Sequence, residues 1–182
     1  LPNYGLIQNK LEDDFVKYLW NIVDIAKQNQ ILNPYEGGNS KLRGLPLSIK
    51  LQDKDDWFSK ILPDYVTQYK NFFGEPFEVD HNFEFKLNDV WVNFQKQGEF
   101  NAAHTHTGIY SFVIWLKCPS TSTFQFSYPT AIGGLNHLAY NTDSSYENMM
   151  ILFPSQFLHQ VYPFYDSEEE RVSIAGNIGI YK

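Results

Sequence analysis

The chain has 182 residues, 43% hydrophobic and 19% charged, which fits one globular domain over 1–182 rather than a disordered segment or a pair of domains. A formal net charge of −7, with no Lys/Arg cluster, argues against a phosphate-neutralising surface, so no nucleic acid is expected as a partner. Cys118 is the one cysteine, which excludes an intramolecular disulfide and a cysteine-based zinc knuckle.

No apolar run approaches a transmembrane length and the N-terminus lacks a signal-peptide pattern. The expectation is a soluble cytoplasmic protein with no membrane partner, and nothing in the sequence excludes a homodimer. In chain order, the first predicted element is a helix from Leu11 onward. Phe15, Leu19, Ile22, Val23 and Ala26 recur at three- and four-residue steps with Asp13, Asp14 and Lys17 between them, an amphipathic pattern facing a core. It ends before Asn33-Pro34, and Gly37-Gly38-Asn39-Ser40 reads as loop. A second helix covers about 55–73, with Phe58, Ile61, Leu62, Tyr65, Tyr69 and Phe72 as its stripe and Gly74 as its stop. Pro63 lies inside it, which predicts a kink or two shorter helices.

After Pro76 the period changes to two. Alternation is clear over 83–87 and again over 90–94, and strand-like runs follow at 109–117, 123–128, 149–153, 158–163 and 171–181. The helical part is thus about 11–73 and the strand-rich part about 77–181. Two helices followed by many short strands predict an α+β, mainly β fold, a sandwich or barrel with helices on one side. The Gly-, Asn- and Ser-rich stretches 37–46 and 129–148 read as candidate lids.

Three groups of residues could carry chemistry. In an extended strand His104 and His106 project from one face, so both imidazoles could reach one metal ion; two surface histidines would give the same pattern. His159 sits between apolar residues after Pro154-Ser155, as a core histidine would, and becomes a third ligand once a metal is posited. In Arg171-Val172-Ser173-Ile174-Ala175-Gly176-Asn177-Ile178, parity puts Arg171, Ser173, Ala175 and Asn177 on one face. Arg171 as a fork and Ser173 as a hydroxyl donor can grip a carboxylate, although a solvated outer face would look alike.

Taken in order, these motifs resemble the 2-oxoglutarate/Fe(II) oxygenase superfamily. There H-x-D/E and a distal His bind iron, and R-x-S/T binds the distal carboxylate of the cosubstrate. More closely, Trp91-Val92-Asn93, Gly98, His104-Thr105-His106, the 110–116 run, Leu152-Phe153-Pro154-Ser155, His159-Gln160-Val161 and 170–178 resemble a small uncharacterised branch of it. Many members of that branch come from marine bacteria and their phages, which would place the protein in a bacterium or a phage-infected host cell. The resemblance covers about residues 91–178.

The resemblance implies a double-stranded β-helix (a cupin-like jelly roll), Fe(II) as cofactor and 2-oxoglutarate as cosubstrate. It further implies iron held by His104, His106 and His159, with Arg171 and Ser173 on the cosubstrate; Asn93 and Tyr110 are candidates to bind the cosubstrate or to support the metal ligands, and would look the same as ordinary strand residues. Hydroxylation of a small-molecule or peptidyl substrate is the implied outcome. One departure stands out: His106 occupies the position of the usual carboxylate. Iron is then held by three histidines, or by two with water or an off-motif carboxylate; Glu99 is the nearest upstream carboxylate and would face away. A neutral imidazole there leaves the site one unit more positive. Trp115, Phe124 and Phe126 read as core, and His81 and His137 as structural. Two other functions are compatible with the motifs: a cupin-type metal dioxygenase that does not use 2-oxoglutarate, and a non-enzymatic jelly-roll binding module.

Overall fold

The structure, a computed structural model, describes residues 5–29, 44–51, 56–74 and 84–181. The predicted loop 37–40, most of the candidate lid 37–46, Phe83 and His81 lie outside the described residues. Among the described residues there are two helices, α1 (Asp13–Asn29) and α2 (Asp56–Phe73). α1 carries Asp13 and Asp14 in its first turn and Lys27 in its last, charges of the sign that each end of the helix dipole favours. Its buried stripe is Phe15, Val16, Leu19, Val23 and Ala26. α2 is assigned as one helix through Pro63, not two. It buries Phe58, Leu62, Val66 and Tyr69, while Phe72 is 72% exposed and so falls outside the stripe assigned to it from the sequence. Gly74 ends the helix with φ +74° and a bond from its N–H to Lys70 O of 2.9 Å, a conformation that favours glycine.

Among the described residues ten strands form two antiparallel sheets. They are β1 (Ile7–Lys10), β2 (Leu47–Lys50), β3 (Glu84–Gln95), β4 (Asn101–His104) and β5 (Tyr110–Lys117), then β6 (Ser122–Pro129), β7 (Leu135–Thr142), β8 (Met149–Pro154), β9 (Leu158–Val161) and β10 (Arg171–Tyr181). The large sheet has the order β1-β8-β5-β10-β3-β2, and the small one β4-β9-β6-β7. One core cluster unites α1 and α2 with a face of the large sheet. A second gathers side chains of β5, β6, β8 and β10, between the large sheet's other face and the small sheet. The layers are therefore helices, large sheet, small sheet.

The two alternating runs of the sequence, 83–87 and 90–94, are one strand with a change of phase. Opposite Asn177 and Ile178 of β10 stand Asp89 and Leu87, so Asn88 is the extra residue of a bulge. That one-residue shift moves the apolar parity from Phe85 and Leu87 to Val90, Val92 and Phe94, and keeps all five toward the helices. The alternate residues Trp91, Asn93 and Gln95 face the other side.

The stretch 129–148 is not an open lid. β7 within it pairs along its whole length with β6, from Ser122↔Thr142 to Pro129↔Leu135, and a short 3-10 turn over Ser144–Tyr146 follows. Likewise the first half is not purely helical, since β1 and β2 add strands to the edges of the large sheet. Among the described residues no helix is long and apolar enough to cross a membrane.

Candidate active site

His104 ends β4 and pairs directly across the ladder with His159 on β9. Antiparallel register thus sets two imidazoles side by side, with ring centroids 4.4 Å apart. His106 lies just past the end of β4, where the chain leaves the small sheet. Its backbone is pinned from two directions: its N–H donates to Ser155 O at 2.9 Å, and Gln156 Nε2 donates to its carbonyl at 3.0 Å. Its ring stands 4.9 Å from that of His104 and 5.0 Å from that of His159. One nitrogen from each of the three rings lies within 4.8 Å of the others, so the trio can hold one metal ion.

Two of the rings have their tautomer set by local backbone. His104 Nδ1 meets Ala102 O at 2.6 Å and His159 Nδ1 meets Phe157 O at 2.8 Å. A carbonyl can only accept, so Nδ1 carries the proton in each and Nε2 is left with a lone pair for a metal. Burial lowers the pKa of His104. Burial and the neighbouring His104 hold His106 at about 4. His159 is pushed well below the usual value by burial, then by the other two histidines. The three rings are therefore neutral near pH 7, as metal ligands must be. Phe124 lies against the His159 ring, 25° from parallel with centroids 5.5 Å apart, and Phe153 meets it edge-on. These contacts fix the ring's plane.

The cleft that holds the histidines lies between the sheets and is also lined by Arg171, Ser173 and Asn93, with a volume of about 60 Å³. Arg171 and Ser173 stand on the inward face of β10 that parity assigned to them. Arg171 is only 2% exposed. Its Nη2 donates to Thr142 Oγ1, and its Nη1 is buried without a hydrogen-bond partner among the described residues. Burial lowers its pKa, partly offset by the Cys118 thiol beside it. Asn93 Oδ1 accepts from Ser48 Oγ at 2.6 Å. No Asp or Glu lines the cleft among the described residues. Glu99 is occupied elsewhere, accepting the Lys96 N–H at 2.7 Å.

Tyr110 is not brought to this cleft. On β5 it shares parity with Phe112, Ile114 and Leu116, which face the helices; its ring packs 5.0 Å from Tyr69 and 5.7 Å from Phe85. The opposite parity of the same strand supplies Val113 and Trp115 to the cleft wall. Trp115 and Phe124, expected as core, are both buried and cleft-lining. Reading the sequence missed Thr142, which lay inside a stretch taken for loop, and Gln95, whose Nε2 donates to Glu99 O at 2.6 Å and Tyr162 O at 3.2 Å. His137 sits outside the site, its Nδ1 in contact with Gln125 and Ser127 on exposed strand positions. A larger cavity of about 360 Å³ lies under α2, but apart from Lys86 its walls are apolar and it carries no metal-ligating side chain.

The fold thus sets three histidines able to hold one metal ion at the small sheet, and a buried arginine on the large sheet faces the same cleft. Residues 89–177 match a family whose model is described as "Putative 2OG-Fe(II) oxygenase", a match that implies Fe(II) and 2-oxoglutarate, with His104, His106 and His159 able to hold the metal. Solved structures agree in fold. A prolyl-4-hydroxylase from Pseudomonas putida is similar with TM-score 0.61 at 17% identity, covering 95% of this chain and 91% of that one. A prolyl hydroxylase from Trichoplax adhaerens, solved with a hypoxia inducible factor peptide fragment, gives 0.64 at 11% identity over 98% and 83%. A 2OG-Fe(II) oxygenase family oxidoreductase from Burkholderia pseudomallei gives 0.57 at 13% over 96% and 84%. No curated protein matches the chain in sequence.

Proposed function

We propose that the chain is a 2-oxoglutarate-dependent hydroxylase of a small-molecule or peptidyl substrate. In this reading His104, His106 and His159 hold Fe(II), and Arg171 with Ser173 holds the distal carboxylate of 2-oxoglutarate. The observation that carries it is the orphaned Nη1 of Arg171. A buried guanidinium with an unused donor is costly unless an anion reaches it, and it shares its cleft with three neutral imidazoles. A dicarboxylate that spans the two groups meets both needs.

Bound together, Fe(II) and 2-oxoglutarate supply oxidative decarboxylation to succinate and CO2, with one oxygen atom of O2 going to succinate and the other to the hydroxylated product. The chain's own part is to bind, orient and exclude water. His104 and His159 offer Nε2 because their Nδ1 protons are committed to backbone carbonyls. Val113, Trp115 and Phe124 wall the cleft, which strengthens the pairing of carboxylate and guanidinium by lowering the local dielectric. Asn93, on the inward face of β3, is a polar neighbour of Ser173 across the ladder. A cupin-type enzyme that does not use 2-oxoglutarate would share the histidines but has no need of the Arg171 and Ser173 row.

The test is succinate release from 2-oxoglutarate under air with added Fe(II), followed across pools of candidate substrates. Wild-type protein is expected to release succinate, faster when a pool contains the substrate, and His104→Ala and His159→Ala are expected to lose more of that rate than the roughly 10- to 100-fold that losing a group behind a metal ligand costs. Succinate release at the wild-type rate in His159→Ala contradicts the assignment.

A further inference from the structure

Among the described residues Thr142 is the one side-chain hydroxyl bonded to the Arg171 guanidinium. It is fully buried at the end of β7, and its hydroxyl has two roles at once: it accepts from Arg171 Nη2 and donates to Ser122 O at 3.0 Å. Ser122 in turn donates from Oγ to Tyr162 O at 2.7 Å. The donor direction of the hydroxyl is fixed by the Ser122 carbonyl, which can only accept, so its lone pairs are committed to the guanidinium.

This places an anchor from the small sheet on an arginine of the large sheet. One of the two Nη2 N–H groups is spent on Thr142, which holds the fork in place. Nη1 is buried and has no partner among the described residues, with Ser173 two residues along the same inward face.

We propose that Thr142 is a positioning residue for 2-oxoglutarate: its hydroxyl holds Nη2 of Arg171 so that Nη1, together with the Ser173 hydroxyl, meets the carboxylate. The inference rests on the proposed use of Arg171 for 2-oxoglutarate. It concerns an interaction that acts through Arg171 and not through contact with the ligand. Loss of the hydroxyl leaves a buried N–H unpaired and frees the fork to turn, which loosens the cosubstrate without touching the metal ligands.

The experiment is calorimetric titration of 2-oxoglutarate into protein loaded with Mn(II), in the absence of turnover, for wild type, Thr142→Val, Thr142→Ser and Arg171→Ala. Val keeps the shape and removes the hydroxyl, whereas Ser keeps the hydroxyl. Expected are about a tenfold rise in Kd for Thr142→Val, the size of one lost buried hydrogen bond, and a Kd within about twofold of wild type for Thr142→Ser. Mn(II) affinity is expected to be unchanged in both. Should Thr142→Val not fold, Thr142→Ala is read in its place against the same Ser variant. Equal or tighter binding in the hydroxyl-free variant, or an equal loss in Thr142→Ser, overturns the role of Thr142 while Arg171→Ala still reports on the site. A wild type that binds Mn(II) but no 2-oxoglutarate overturns the proposed function itself, and the role of Thr142 with it.

Discussion

At His104 and His159 the carbonyl two residues earlier takes the Nδ1 proton, so the metal-facing nitrogen is chosen before any metal arrives. The same burial has a consequence for stability. An unfolded histidine takes up a proton near pH 6.5, whereas His106 in the fold does so at about 4 and the other two are also lowered. Between those limits the unfolded chain binds more protons, so stability is fully present above about pH 6.5 and falls as the pH drops toward 4. Urea denaturation of metal-free protein from pH 7.5 to 4.5 is expected to show this loss, with a smaller slope in His106→Asn. Identical slopes in the two proteins would mean that His106 is not held neutral by burial. Sequence parity found Arg171 and Ser173 on one face and paired His104 with His106. It could also have placed Tyr110, whose even-numbered companions on β5 are all large and apolar, but a tyrosine near a motif draws attention that its parity does not support.

Among the elements, the connection from β4 to β5 matters most, because it carries His106 from one sheet toward the other. Gly108 in that connection has φ +110°, and a Cβ there would lie 2.8 Å from Ile178 O. That carbonyl already accepts the Ile109 N–H at 2.8 Å. Gly108→Ala must therefore push the connection off β10, and a non-glycine residue at such a φ costs about 1–3 kcal/mol by itself. Thermal denaturation is expected to show a lower Tm and metal titration a weaker site, since His106 is only two residues away. An unchanged metal affinity would show that His106 is no ligand. Strands with buried side chains were legible because β6 alternates and β5, β8 and β10, buried on both faces, read as nearly continuous apolar runs; all four lie within a residue or two of their expected ends. β7 was not legible. Leu135, Asn136, His137, Leu138 and Ala139 are all exposed, so no apolar alternation records a strand that pairing with β6 alone creates. β1 and β2 failed for a related reason, being four-residue edge strands with one buried side chain each.

Across the whole molecule, the two halves of the site belong to different sheets. The small sheet supplies His104 and His159; the large one supplies Arg171, Ser173 and Asn93, and the hydrogen bonds through Thr142 and Ser122 tie the two together. A ligand with one end on the metal and the other on Arg171 would bridge the layers, so its binding would stabilise the fold as well as complete the site. The substitution of histidine for the usual carboxylate fits the same balance. Three neutral imidazoles leave the full charge of the metal, Arg171 adds another positive charge, and the lining residues offer no acid to offset either. A dianion does so. The most direct measurement is anaerobic titration of the Fe(II)-loaded protein with 2-oxoglutarate, followed by visible absorption. The account predicts a saturable metal-to-ligand charge-transfer band in wild type that needs more than about a hundredfold higher 2-oxoglutarate in Arg171→Ala, the scale of removing one partner of a buried charge pair. A protein that binds Fe(II) but shows no such band, or the same saturation in Arg171→Ala, would contradict it.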